Sequence, residues 1–350
     1  MKKLLTLFLA LLSVFQMLLL SGCNNQKTKY TDYSFDYFDT VTTIVGYENT
    51  KEEFDAVCEK IKVRLQEYHR LYNIDNRCEG VNNLCMLNEV KGGAHKELTV
   101  ESKIIDLLDY SLEMYNLTNG KVNVAMGSVL SIWHEYRQEG LDKPENAKLP
   151  DILALKSAAE HTDINGVVID KTDSTVYLSD PEMKLDVGAI AKGYAVEETA
   201  KWMENEGIGG YILNVGGNVR IVGTRPDGEK WKVGIENPDT ENEDEPYIAY
   251  LGLDSVALVT SGSYQRYYTV DGKRYHHIID PETLMPGENF NSVSVLCESS
   301  AKADALSTAL FSMTYEEGKA LIESIPDTEA MWVLPSGEQR YSSGFENYLI

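Results

Sequence analysis

Asp304 and Thr308 stand four residues apart in the run Ala303-Asp304-Ala305-Leu306-Ser307-Thr308-Ala309-Leu310, so a helix there presents both on one face. A carboxylate and a hydroxyl one turn apart are two hard oxygens, which suit Mg²⁺ and not zinc. An Asp favoured by the helix dipole, with Thr308 bonded back to its own helix, would explain the same pair structurally. Thr260-Ser261-Gly262-Ser263-Tyr264 followed by His276-His277-Ile278-Ile279-Asp280-Pro281 brings hydroxyls, an imidazole and a carboxylate to the ends of adjoining strands. His277 there could move a proton, or it could be an exposed hairpin histidine. In Lys184-Leu185-Asp186-Val187-Gly188-Ala189-Ile190-Ala191-Lys192-Gly193-Tyr194-Ala195, an expected strand ends on an Asp and a helix begins with Lys192 in its first turns. Helix N-terminal amides suit phosphate oxygens, and Asp186 could hold a hydroxyl or an amine; a plain cap would use the same Asp. Gly216-Gly217, between Asn214-Val215 and Asn218, lets a ligand or another backbone approach closely, or simply makes a tight hairpin.

The elements that must hold these residues can be read from hydrophobic spacing. Phe54, Val57, Cys58, Ile61, Leu65 and Tyr72 predict an amphipathic helix over about 50–73. Ile104, Leu107, Leu108, Leu112 and Tyr115 predict a second, closed by Asn119-Gly120. Tyr33 to Tyr47 reads as a strand or hairpin, Val167 to Leu178 as a hairpin around Lys171-Thr172-Asp173, and Lys184 to Val187 as a short strand before a helix from about Ala189 to Glu206. Further strands are expected at Tyr211–Val215, Val219–Val222, Trp231–Ile235, Ala249–Leu253, Val256–Val259 and Val293–Cys297. Arg266–Val270 and Lys273–Ile279 pair across the Asp271-Gly272 turn. Helices at Ala301–Met313 and Tyr315–Ile325 precede a late strand at Ala330–Leu334. Helices and antiparallel strands in separate runs argue for an α+β fold, a single domain over 31–350 in one lobe or two.

The 350 residues carry 32 Lys+Arg against 55 Asp+Glu, a net charge of −23. Such a surface repels a phosphate backbone, which disfavours a nucleic-acid binder. A small anion could still bind where a metal, a lysine or helix N-termini neutralise it. No P-loop, GxGxxG or HExxH motif occurs, and no CxxC. Of Cys58, Cys78, Cys85 and Cys297, the middle two are near enough in sequence to pair, and four free thiols are equally compatible.

The first 22 residues differ from the rest. Lys2-Lys3 and an apolar run lead to Leu20-Ser21-Gly22-Cys23, the pattern of a lipoprotein signal peptide in which the Cys23 thiol receives lipid. The apolar run is short for a membrane span. Residues 23–30 then form the lipidated Cys and a polar tether, and the expected location is the extracytoplasmic face of a bacterial membrane. Losing residues 1–22 removes two lysines and no acids, which takes the charge from −23 to −25.

In this order the segments resemble the ApbE family of flavin transferases, whose members are typically lipoproteins. Phe38-Asp39-Thr40 looks like its opening strand motif. Asn119-Gly120-Lys121-Val122-Asn123 with Ile132-Trp133 looks like its "DGxxD…LW" segment, and Asp186 to Ala195 is close to its "DxGGIAKGYA" core. Gly216-Gly217, Trp231 with Ile235 to Pro238, Thr260 to Gly262, His277 to Pro281 and Ala303 to Leu310 complete a resemblance running from about Phe38 to Ile325. It implies an ApbE-like catalytic domain of mixed, largely antiparallel sheets with packed helices. It also implies transfer of FMN from FAD onto a Ser or Thr hydroxyl of a target flavoprotein, an extracytoplasmic electron-transfer protein by expectation, with release of AMP. Some members instead hydrolyse FAD to FMN and AMP. A non-enzymatic flavin-binding lipoprotein would need no Asp304/Thr308 pair.

Carried onto this chain, the resemblance implies Mg²⁺ held by Asp304, Thr308 and the Ala189 carbonyl. It implies nucleotide contacts near Phe38, Lys121, Val122, Asn123, Asp186, Lys192 and Ile279, with His277 at the reacting centre. Two positions depart from the pattern. Asn123 stands where Asp is common, and Leu284 where a Gly commonly follows "DPxT", which leaves the shape of that loop open.

Overall fold

A computed structural model describes residues 27–90 and 97–350. The expected signal peptide, Cys23 and residues 24–26 of the expected tether lie outside the described residues. Among the described residues no helix is long and apolar enough to cross a membrane.

In chain order the elements are β1 (Thr28–Tyr37), β2 (Thr40–Glu48), α1 (Lys51–Tyr72), α2 (Leu84–Glu89), β3 (Leu98–Thr99), α3 (Ser102–Leu117), α4 (Gly127–Asp142) and α5 (Ile152–Ala159). They continue with β4 (Val167–Asp170), β5 (Thr175–Leu178), α6 (Ala191–Asn205), β6 (Tyr211–Val215), β7 (Asn218–Val222), β8 (Trp231–Glu236), β9 (Tyr247–Leu253) and β10 (Ala257–Gly262). The chain ends with β11 (Tyr267–Val270), β12 (Lys273–His276), β13 (Ser292–Cys297), α7 (Ser300–Phe311), α8 (Tyr315–Ser324), β14 (Glu329–Val333) and β15 (Gln339–Tyr341).

Eight strands form one sheet in the order β1-β2-β6-β7-β10-β13-β14-β15, each pair antiparallel. Alternation along a strand sends successive side chains to opposite faces. Val259 of β10 and Val293, Val295 and Cys297 of β13 therefore join the core with α3, α6 and α7, while Leu258 and Leu296 join the core under the β8–β9 hairpin. Both faces of the sheet centre are covered, which is why every residue of β13 is buried. The α+β expectation holds.

Local chemistry sets the elements that carry the site. Thr50 caps α1 by accepting the Glu53 N–H at 3.2 Å. At the end of α3, Gly120 N–H reaches Tyr115 O and Asn119 N–H reaches Asn116 O, a Schellman closure with Asn119 and Gly120 both at positive φ. That turn aims the chain at Lys121–Asn123.

Several expectations change. Lys184–Val187 is not a strand. It makes one parallel bridge, Lys184 to Met126. Leu185 gives its backbone bonds to the Asn88 side chain, and Asp186 N–H goes to Val124 O, so no ladder forms. Strand β1 starts at Thr28, so the last residues of the expected tether belong to the sheet. Leu112 is off the core face of α3, at 42% exposure. The second hairpin strand stops at His276, because Ile278 N–H turns back to His276 Nδ1. The helices α2, α4 and α5 were not expected. Cys58, Cys78, Cys85 and Cys297 are free thiols.

Candidate functional site

One cavity of about 700 Å³ opens among the β1–β2 tip, the end of α1, the Lys121–Met126 loop, α4, the start of α6, the β6–β7 turn, the end of β10 and α7. Every residue expected above for metal, nucleotide or proton transfer lines it. Cys23 lies outside the described residues.

The β1–β2 tip is a two-residue turn, Phe38-Asp39, with both residues left-handed at φ +54 and +51. A bulky residue in that region is strained. Its backbone is held from two sides. Phe38 N–H donates to His69 Nδ1 at 3.1 Å, and Arg266 donates to Asp39 O at 3.3 Å. Gly216, at φ +55, packs under this tip, and a Cβ there would come within 2.4 Å of Thr40 Oγ1.

Asp304 is buried. Its Oδ2 accepts the Gly193 N–H at 2.7 Å, and its Oδ1 lies 3.9 Å from Lys192 Nζ. Burial raises its pKa, while Lys192 and the Gly193 N–H oppose the rise. Ser307, not Thr308, bonds back along α7, to Asp304 O at 3.0 Å, and Thr308 faces the cavity. Asn218, also buried and lining the cavity, has an Oδ1 with no hydrogen-bond partner. No group of three or more His, Cys, Asp or Glu could hold a metal among the described residues. The donors are therefore one carboxylate and neutral oxygens. That set fits a hard cation whose remaining charge comes from a ligand.

His277 Nδ1 faces Arg266 O at 3.2 Å. A carbonyl only accepts, so Nδ1 carries the hydrogen and Nε2 keeps its lone pair. Burial, then Arg266, Lys192 and Arg137, push the His277 pKa down to about 3, and the ring is neutral. His276 differs. Its Nε2 donates to Gly287 O at 2.6 Å and its ring packs on Phe311, a structural role on the opposite side of the strand.

The remaining candidates divide. Asp186 Oδ1 accepts the Gly188 N–H at 2.9 Å and Oδ2 lies 3.8 Å from His134 Nε2. Lys121 Nζ is committed to Asp280 at 3.1 Å and Glu282 at 2.9 Å, so its charge ties two loops. The Val122 side chain belongs to the core, and Ile279 packs with Trp133. Asn123 donates from Nδ2 to Thr162 O at 2.9 Å, a bond Asp could not make. Leu284 adopts φ +61, the region a Gly enters freely, and buries its side chain beside Trp133, whose Nε1 donates to Leu284 O. The turn after Pro281 thus keeps a left-handed residue without a glycine.

Sequence reasoning missed His69, His134, Arg137, Asn218 and Arg266, which also line the cavity. Leu130, His134 and Arg137 sit at helical spacing on α4, following its cap residue Met126; recognising that helix would have exposed them.

The ApbE family model matches residues 38–332. An FAD:protein FMN transferase of Treponema pallidum is 30% identical over 306 residues, 83% of this chain and 81% of that protein. One of Haemophilus influenzae is 28% identical, over 92% and 90%. Among solved structures, the ApbE protein of Thermotoga maritima superposes with a TM-score of 0.78 at 27% identity, over 92% of this chain and 99% of that one. The flavin transferase ApbE of Vibrio cholerae shares the fold, with a TM-score of 0.75 at 24% identity over 92% and 100%.

Proposed function

The chain belongs to the ApbE family, and from that membership we infer that it is an enzyme transferring FMN from FAD to a target protein. We further propose a Ser or Thr acceptor, release of AMP, and Mg²⁺ held by Asp304, Thr308 and the Ala189 carbonyl. Bound there, Mg²⁺ would draw charge from the diphosphate. The observation that carries this reading is convergence: residues from widely separated segments, Phe38, Asp186, Lys192, His277 and Asp304 among them, share one cavity.

In this reading His277 Nε2 accepts the acceptor hydroxyl's proton. The hydroxyl oxygen bonds to the FMN phosphorus, and AMP leaves with the electron pair of the broken anhydride bond. The depressed pKa keeps the imidazole unprotonated, and the negative diphosphate would raise its basicity when FAD binds. The strained Phe38-Asp39 tip gives the cavity a fixed wall. Lipidation at Cys23 would hold the enzyme on the outer face of the cell membrane, where its target would also lie.

The test incubates the protein with FAD, Mg²⁺ and a candidate flavoprotein. Mass spectrometry should find one FMN added to a Ser or Thr, with AMP released only when the acceptor is present. AMP release that is indifferent to the acceptor would mean FAD hydrolysis instead.

A further inference from the structure

Four Lys or Arg side chains line the cavity. Lys121 is paired with Asp280 and Glu282, and Lys192 lies 3.9 Å from Asp304. Arg137 and Arg266 have no carboxylate within salt-bridge distance among the described residues. Arg266 donates only to the neutral Asp39 carbonyl. Two guanidinium groups without a direct carboxylate partner therefore face one cavity in a chain of net charge −23. Each is close enough to act on the other and on His277: burial, then Arg266, lower the Arg137 pKa against the opposing pull of Asp186 and Asp75, which lie beyond salt-bridge distance, and both arginines help depress that of His277. Placing like charges together costs free energy that an anion between them would offset. A guanidinium fork matches two phosphate oxygens.

We propose, on the reading of this cavity as the FAD site, that Arg137 and Arg266 together grip the phosphate next to His277, the one that is transferred. The charge of the diphosphate is then divided. The Asp304–Thr308 side takes one end through a cation, and the arginine pair takes the other directly. Arg137 is a substrate-binding residue supplied by α4, and Arg266 does double duty through its carbonyl, which orients His277.

The experiment uses the full chain in detergent with excess EDTA, so that no cation contributes. FMN and riboflavin are titrated by flavin fluorescence, and inorganic pyrophosphate by calorimetry. Wild type should bind FMN more tightly than riboflavin, which lacks the phosphate. Arg137→Gln should weaken FMN and pyrophosphate by about tenfold, the scale of one lost charge-assisted pair, and leave riboflavin within about twofold. Unchanged riboflavin binding also reports an intact fold. Arg137→Lys should recover part of the loss, because it keeps the charge without the fork. The proposal is overturned if Arg137→Gln binds FMN and pyrophosphate like wild type, or loses riboflavin equally. If Arg137→Gln does not fold, wild-type FMN affinity in Arg137→Lys overturns it. Failure of wild type to flavinylate any acceptor would sink the transferase reading while leaving these affinities as they are.

Discussion

Asp304 caps a helix to which it does not belong: its Oδ2 accepts the Gly193 N–H in the first turn of α6, at 2.7 Å. The residue preceding α6, Ile190, supplies no side-chain cap, so a carboxylate from α7 satisfies one of the donors every helix start leaves open. The approach needs Gly193. A Cβ there would stand 2.4 Å from both Asp304 Cβ and Ser300 O. One contact thus joins helix packing to the position of the proposed metal carboxylate.

Gly193→Ala should therefore push α6 and α7 apart. Overpacking of this kind costs about 1–3 kcal/mol, to be read as a lower urea midpoint. AMP release should fall further than stability, because Asp304 and Lys192 move with their helices. A variant with wild-type midpoint and turnover would show that the helices have room to spare.

Asp304→Ala should lose Mg²⁺-dependent AMP release even at saturating FAD, and Thr308→Ala should be milder, since water can replace a neutral hydroxyl. Chelator should stop the wild type, Mg²⁺ should restore it, and Zn²⁺ should do so poorly. Asp304→Asn can still accept the Gly193 N–H. Burial raises the Asp304 pKa, so its charged form costs stability that grows as pH rises through the folded value. Without metal at neutral pH, Asp304→Asn should be at least as stable as wild type. Activity of wild type in excess chelator would remove the metal from the mechanism.

His277→Ala should keep FAD affinity and lose about 10²–10⁴ in transfer rate, the usual scale for a lost general base. With the folded pKa pushed down to about 3, His277 stays neutral and should place no acid limb on kcat/KM between about pH 5 and 8. The negative diphosphate of bound FAD would raise that pKa, so any limb in kcat should lie at higher pH. The same shift makes stability from this residue complete above about pH 6.5 and lost as pH falls towards 3. His277→Gln should flatten the acid arm of the stability profile, and an unchanged profile would place the imidazole in a different environment.

Asn123→Asp should destabilise by about 1–3 kcal/mol, because the new carboxylate would face the Thr162 carbonyl with no hydrogen to donate. Thermal melting against pH checks this: the loss should shrink as the carboxylate is protonated in acid.

Cys23→Ser should release soluble protein or block signal processing, as membrane fractionation would show. Retention in the membrane after signal cleavage would refute lipid anchoring at that residue.

Much of the frame was legible because it rests on local physics. The apolar spacing of α1, the Asp271-Gly272 turn and the short apolar runs of β6, β7 and β13 depend on neighbours in sequence, and the structure keeps their bounds nearly residue for residue. The Asp304/Thr308 face of α7 and the paired glycines at 216 and 217 were readable for the same reason. Helix α4 was not, since its apolar residues gather in the first half and the second half, His134 to Glu139, is polar.

What only tertiary structure decided is which polar groups spend themselves on each other. Lys121 looks free in sequence, yet its ammonium is taken by Asp280, 159 residues away. Segment 184–187 has the composition of a strand, but an Asn88 side chain takes both backbone bonds of Leu185 in place of a neighbouring strand. Arg137 and Arg266 carry no motif, and they gain meaning only where the fold sets them by one cavity with no carboxylate in direct salt-bridge contact among the described residues. Residue type and spacing determine what a side chain can do, and long-range partners determine whether its charge and lone pairs remain free to do it.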